Sequence, residues 1–309
     1  MKKHTTPRSQ PRIHCVDQFY SDSDVLRRHF ESRFKNPHEA NADRFVWDYW
    51  HVPDQYTVLR TPAYHFFPPK IYHGFHEQLV KWGRENLGCH DVSPPWLSLY
   101  IDGCRQEFHA DLPHGPWAFV YSLTPWKGRK FTGGETVLVK DSMLRFWENM
   151  DLFRGLEQED ILQFIEPKFD RLTVFDPRVP HGVRRVEGVF EPREGRLVIH
   201  GWFVQPRPFL EGPLSRRSFQ KMIDSLLEGM GSRLPAIDLM GILSVRFKVS
   251  ATGRIGEVQF LSNTLISGHG PQGKDVSDLL EFLSDFLREY RFPAASGASW
   301  ITLPLTFEA

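Results

Sequence analysis

What most constrains this chain is a dense succession of short β-type runs between residues 96 and 204. WLSLYIDG, EFHADL, WAFVYSLT, GGETVLV, RLTVFDP, HGVRRVEG and RLVIHGWFV follow one another, with Gly103, Gly115, Gly133, Gly134, Pro180 and Gly188 at the breaks. Short strands punctuated at such intervals predict a β-sandwich or barrel. A chain of 309 residues is too long for one ordinary domain and suits roughly two.

The flanks read differently. Phe19-Tyr20-Ser21-Asp22 offers a capping residue before the apolar positions Val25, Leu26 and Phe30, so a helix is predicted to begin near 21–24. A second is predicted over 70–87, with Ile71, Phe75, Leu79 and Trp82 on one face. Between them, 45–67 is crowded with Trp47, Tyr49, Trp50, Tyr56 and Tyr64, a pattern that suits either core strands or a loop covering a substrate. Residues 141–164 read as a helical insertion. Pro206 and Pro208 end the β pattern and make 205–213 a boundary, followed by a connecting helix over 214–230.

Beyond it, Leu243, Val245, Phe247 and Val249 alternate with polar residues, a second strand covers 255–261, a helix covers 274–290, and Ile301, Leu303, Leu305 and Phe307 alternate again. The expected class is therefore α+β, a β-rich domain with flanking helices and a small C-terminal ββαβ domain. The expected boundaries are a disordered basic arm at 1–11, a main domain at 12–206, a linker and connecting helix at 207–235, and the ββαβ unit at 236–309.

Lys and Arg number 38 against 38 Asp and Glu. A net charge of zero argues against a nucleic-acid partner, which needs an excess of cations. No apolar run approaches the ~18 residues of a membrane span. The basic N-terminus has no apolar stretch to serve as a secretory signal. Cys15, Cys89 and Cys104 are odd in number and lack metal-type spacing, which fits a reducing cytoplasm.

Chemistry enters with His109 and Asp111. On an extended chain, residues two apart face the same side and can reach one ion. Alone this spacing is weak, since a His-x-Asp arises by chance. His181 opens a later strand and offers a third ligand, completing two histidines and a carboxylate, the set used by non-haem Fe(II) oxygenases. A zinc hydrolase can use the same set. Arg196 separates the two: it falls in the inward register with Val198, His200 and Trp202, and a cation there needs an anionic partner. No carboxylate lies on its own strand, so a bound carboxylate fits, matched by the planar guanidinium fork. Tyr100 precedes the metal loop, with its hydroxyl placed to assist the same ligand. Arg60, in YTVLRTP, reads as a surface or interface residue, with an anionic substrate as the other possibility.

These residues form an ordered set. Tyr100-x-x-Gly103, Glu107-Phe108-His109-Ala110-Asp111, Phe131-Thr132-Gly133-Gly134-Glu135-Thr136, His181-Gly182 and Arg196 resemble the Fe(II)/2-oxoglutarate-dependent dioxygenases over about residues 12–206, and most of all their prolyl-4-hydroxylase-like branch. The resemblance implies a double-stranded β-helix (jelly roll), iron on His109, Asp111 and His181, and 2-oxoglutarate on that iron with its distal carboxylate at Arg196 and Tyr100. His200 and Trp202 are expected to face the cosubstrate. It implies O2 as oxidant, succinate and CO2 as products, ascorbate as an optional reductant, and hydroxylation rather than halogenation, because Asp111 is present. The chain departs at Val198, where many relatives have Ser, and at His200, often a smaller polar residue. The C-terminal unit resembles TonB-like modules, which implies a protein partner bound at a sheet edge. The expected substrate is a protein or peptide side chain, prolyl among the candidates. Alternatives are a small metabolite and, from another class, a catalytically silent scaffold.

Overall fold

The structure, a computed structural model, describes residues 12–36, 38–39, 47–111, 114–140, 142–143, 155–270 and 273–308. The expected basic arm, and residues 141 and 144–154 of the expected insertion at 141–164, lie outside the described residues. Packing divides the chain into two compact units, one of residues 13–80 and 91–204, the other gathering 81–90 and 205–309.

The first unit begins with β1 (Ile13–Asp17), α1 (Ser23–Phe34), β2 (Asp48–Val52), β3 (Tyr56–Pro62), α2 (Ala63–Phe66) and α3 (Pro69–Asn86). Then follow β4 (Cys89–Val92), β5 (Trp96–Tyr100), β6 (Arg105–His109), β7 (Trp117–Ser122) and β8 (Thr136–Val139). Of these, α3 belongs to the unit only up to residue 80 and β4 only from residue 91. The series ends with α4 (Gln158–Ile161), β9 (Leu162–Ile165), β10 (Arg171–Phe175), β11 (His181–Val183) and β12 (Arg196–Pro206). Its sheet runs in the order β1-β10-β7-β12-β5-β3-β6-β11-β8-β9, with β2 on β3. The pairings along this path are antiparallel. Side chains from β3, β5, β6, β7, β8, β10, β11 and β12 line one cavity. The sheet therefore curls around that cavity.

Helices α1 and α3 supply the other layer. Leu26, Phe30, Phe75 and Leu79 are fully buried, and each such side chain contributes about 1.5–3 kcal/mol. Phe75 packs on Tyr121 of β7 with ring centroids 4.7 Å apart. Wrapping order matters more than content here. Antiparallel neighbours distant in sequence, β5 with β12 and β6 with β11, put the candidate site residues side by side.

One expectation for this unit changes. The end of the 141–164 segment is not helical: after the short α4, residues 162–165 form β9, which pairs with β8 from Thr136↔Ile165 to Val139↔Leu162. The open edge of β8 takes these residues as a strand, burying Ile165. From residue 47 the aromatic segment combines strand and exposed positions. It is the hairpin β2–β3 followed by α2, with Phe66 and Phe67 buried while Tyr49 and Tyr64 stay exposed.

The second unit contains β13 (Phe209–Glu211), α5 (Arg216–Arg233), β14 (Leu239–Val249), β15 (Ile255–Asn263), β16 (Ile266–Ser267), α6 (Asp275–Glu289) and β17 (Ser299–Phe307). Its sheet order is β13-β17-β14-β15, with β16 also on β14. Helix α5 is more than a connector. Ser215 caps it by accepting the Ser218 N–H, and its Met222 and Leu226 sit in one core with Val245, Phe247, Leu279 and Leu283. That i, i+4 pair is the buried stripe of an amphipathic helix. No helix among the described residues is long and apolar enough to cross a membrane.

Candidate metal centre and cosubstrate pocket

His109 is the last residue of β6, and His181, the first of β11, lies directly opposite it in the antiparallel register. Asp111 follows two residues after His109 in the loop, where its backbone N–H donates to the Pro177 carbonyl at 3.0 Å. One potential ligand atom from each of the three lies within 4.8 Å of the others. His181 Nε2 is 3.3 Å from Asp111 Oδ2, and His109 Nε2 is 3.6 Å from Oδ1.

Both imidazoles are oriented by the backbone. His109 Nδ1 lies 2.8 Å from the Glu107 carbonyl and His181 Nδ1 lies 2.9 Å from the Val179 carbonyl. A carbonyl only accepts, so each Nδ1 carries the proton and each Nε2 faces the shared site. This is the outer-shell arrangement that fixes the tautomer of metal-binding histidines. Burial acts to raise the Asp111 pKa, but in the metal-free protein a protonated His181, hydrogen-bonded to it through Nε2, with the charges of His109 and His114 behind, holds the carboxyl below its ordinary value.

Arg196 opens β12 directly opposite Tyr100 of β5. It is 1 % exposed. Its guanidinium lies over the Tyr100 ring at 4.5 Å, and its Nη2 donates to Thr136 Oγ1 at 3.1 Å. Nε and Nη1 are buried with no hydrogen-bond partner. Among the described residues no carboxylate comes within ion-pair distance: the nearby Glu135 is drawn instead to Arg184 at 3.5 Å and Arg129 at 3.9 Å. Burial pushes the Arg196 pKa down from its usual value. The Tyr100 hydroxyl donates to Gln106 at 3.1 Å, and burial raises its pKa.

Thr136 reaches Arg196 because of the double glycine before it. Gly133 and Gly134 have φ of 74° and 82°, a region that L side chains avoid. A Cβ on Gly133 falls 1.8 Å from the Arg185 carbonyl oxygen. Gly133→Ala is therefore expected to cost about 2–4 kcal/mol, from left-handed strain plus overpacking, read as a lower urea midpoint.

His200 and Trp202 line the same cavity. His200 Nε2 is 2.8 Å from Ser98 Oγ. Burial, with the Arg196 charge next, lowers its pKa from 6.5 to about 4, so the ring is neutral at physiological pH. Trp202 rests against His114 with centroids 4.5 Å apart, and its indole Nε1 is buried without a partner. As pH falls through 6.5 towards about 4, the unfolded chain takes up the His200 proton and the folded one resists it. Stability of the metal-free protein is expected to decline over that window. His200→Gln, which keeps a partner for Ser98, is expected to flatten the decline in urea titrations at stepped pH.

Sequence reasoning does not single out Gln106 or Trp96, and names Trp50 only within the aromatic segment and Thr136 only as part of a motif. It favours the surface or an interface for Arg60, with an anionic substrate as the other possibility. Arg60 lines the cavity beside Trp50, Trp96 and Tyr100. The signal lies in strand pairing, which is absent from a linear reading: Val58↔Trp50 and Pro62↔Trp96 flank Arg60 across its two neighbouring strands.

No family model matches the chain, and no curated protein matches it. Among solved structures, it is similar to a Pseudomonas putida prolyl-4-hydroxylase at 17% identity and TM-score 0.42, covering 62% of this chain and 92% of that one. A Trichoplax adhaerens prolyl hydroxylase in complex with a hypoxia inducible factor peptide fragment is similar at 15% identity and TM-score 0.40, over 62% and 83%. A viral collagen prolyl hydroxylase from Paramecium Bursaria Chlorella virus-1 is similar at 16% and 0.39, over 62% and 95%.

Proposed function

We propose that this chain is an Fe(II)- and 2-oxoglutarate-dependent oxygenase that hydroxylates a C–H bond and releases succinate and CO2. The observation that carries the reading is Arg196: a fully buried guanidinium with two unpartnered nitrogens in the same cavity as His109, Asp111 and His181. A buried charge without a partner is strongly unfavourable. A dianionic ligand spanning the cavity resolves it.

The donor set fits the group. Two imidazoles with their Nε2 atoms turned to one point, and a carboxylate between them, would hold Fe(II) and leave positions for 2-oxoglutarate and O2. Bound there, iron and cosubstrate supply oxidative decarboxylation and oxygen transfer. Arg196 binds the distal carboxylate of the cosubstrate, and Thr136 holds Arg196 in place. Tyr100 covers the guanidinium with its ring. Neutral His200 presents no charge to compete with Arg196 for that carboxylate. Trp50 and Trp202 wall the cavity and exclude water. A zinc hydrolase leaves Arg196 without a role.

For the substrate, a protein or peptide side chain is one reading and prolyl hydroxylation its most specific form. The other, a small metabolite, is favoured by the hairpin: Trp50 and Tyr56 form part of the wall of a cavity of about 510 Å3. We likewise infer that residues 236–309 form a TonB-like partner module. The support is that β15 ends its sheet with one neighbour among the described residues. The three free cysteines support a cytoplasmic setting.

The test is direct. Protein reconstituted with Fe(II) and ascorbate under argon, then given 2-oxoglutarate and O2, is expected to release succinate by mass spectrometry. Succinate no higher than in a chelator-treated control would overturn the reading.

A further inference from the structure

We propose that Arg60 is the anchor for the primary substrate and that this substrate is a small molecule with an apolar body and a free carboxylate. The inference rests on the reading of Arg196 as the partner of the cosubstrate.

Arg60 is the second cation in the cavity. Its guanidinium lies over the indole of Trp50 and over that of Trp96, the latter at 4.1 Å. Stacking of this kind holds a planar cation in one orientation while its edge donors remain available. Nε is buried and makes no hydrogen bond. Among the described residues no carboxylate forms an ion pair with it. Asp48, its cross-strand partner on β2, is exposed and lies beyond ion-pair distance. Burial lowers the Arg60 pKa, with the Asp48 charge opposing. The cavity thus presents a preoriented fork with an open partner position, the arrangement that recognises a carboxylate bidentately.

Spacing assigns the two arginines to different anions. Arg60, Ser98 and Val198 make one cross-strand row through β3, β5 and β12, while Tyr100 and Arg196 lie two residues along in the next inward-facing row. Two strands across and two residues along is about 12 Å between backbones. Arg196, opposite Tyr100 and held by Thr136 at 3.1 Å, lies deep. Arg60 and Trp50 belong to the hairpin, where Trp50 is 37% exposed. One anion sits inside and the other nearer the hairpin. Size and lining point to a small acid: about 510 Å3 must hold both ligands, and the walls near Arg60 are Trp50, Tyr56 and Trp96.

The test uses a panel of small monocarboxylates, phenylacetate and hexanoate among them, each paired with its primary amide, and an acetylated peptide containing Glu. Binding is measured by calorimetry to protein loaded with Mn(II) and 2-oxoglutarate and, in parallel, to metal-free protein. Wild type is expected to bind members of the carboxylate set at least ~10-fold tighter than their amides, as a charge-assisted bidentate contact implies. Arg60→Gln is expected to bring that ratio within about twofold, and Arg60→Lys to retain part of it. A separate 2-oxoglutarate titration is expected to be unchanged by Arg60→Gln and weakened by Arg196→Gln. No carboxylate preference, or one that survives Arg60→Gln, overturns the inference. So does tighter binding of the Glu peptide than of any small acid. If Arg60→Gln weakens 2-oxoglutarate and Arg196→Gln does not, the assignments are reversed and the proposal falls. If neither variant affects 2-oxoglutarate while the carboxylate preference still depends on Arg60, the cosubstrate reading fails alone.

Discussion

Asp111→Ala is expected to abolish succinate release while leaving the β-rich unit folded. The carboxylate sits between His181 at 3.3 Å and His109 at 3.6 Å, so its loss leaves the two imidazoles as the donors of this cluster among the described residues. Two imidazoles hold a divalent ion far more weakly than two imidazoles and a charge. Even outer partners of metal ligands are worth about 10–100-fold, so loss of the ligand itself is expected to lower Fe(II) affinity by more than ~100-fold. The fold has little reason to follow. The Asp111 side chain is 20% exposed and lies in a loop whose backbone anchor, the N–H donated to Pro177, is independent of the side chain. In metal-free protein the change in stability is expected to stay within about 1 kcal/mol, as for substitutions outside a packed core. Iron titration and circular dichroism on the same preparation separate the two effects. Retained succinate release in the variant means that the ligand assignment is wrong.

How much of this was legible in the sequence depends on whether the signal was local. The strands of the β-rich unit were legible because Gly and Pro punctuate them and apolar residues alternate within them. His109 and Asp111 could be joined because two-residue spacing is itself the geometry of a strand. The inward register of Arg196, Val198, His200 and Trp202 followed from the same periodicity. Long-range pairing was not legible. Nothing local in YTVLRTP shows that Trp96 lies on the neighbouring strand and Trp50 across the hairpin, so a surface or interface position outweighs an anionic partner in the linear reading of Arg60. Residues 162–164 read as helix because only the free edge of β8 makes them a strand. Thr136 carries a role that only the fold reveals, since its partner Arg196 lies on a strand that is not its neighbour in the sheet.

Arg196→Met is expected to move stability and function in opposite directions. In ligand-free protein, Arg196 is 1% exposed, with two nitrogens lacking hydrogen bonds and no carboxylate in contact. Burying such a charge opposes folding, and replacing buried ionic groups with apolar ones of similar volume is neutral or stabilising by about 1–4 kcal/mol. Met keeps the length of the stem and fills space beside Tyr100 with a flexible apolar chain. The metal-free variant is therefore expected to melt at or above the wild-type temperature. Binding is expected to run the other way. Removing one partner of a buried charge pair costs about 2–5 kcal/mol, so the half-saturating 2-oxoglutarate concentration is expected to rise by ~30-fold or more. Ligand-induced stabilisation should vanish with it: wild type is expected to melt higher with added 2-oxoglutarate and Mn(II), and the variant to show almost no shift. Thermal melts of both proteins, with and without cosubstrate, test each limb. A variant that is less stable when free but still stabilised by 2-oxoglutarate would mean that Arg196 serves the fold, and the anion it was assigned would belong elsewhere in the cavity.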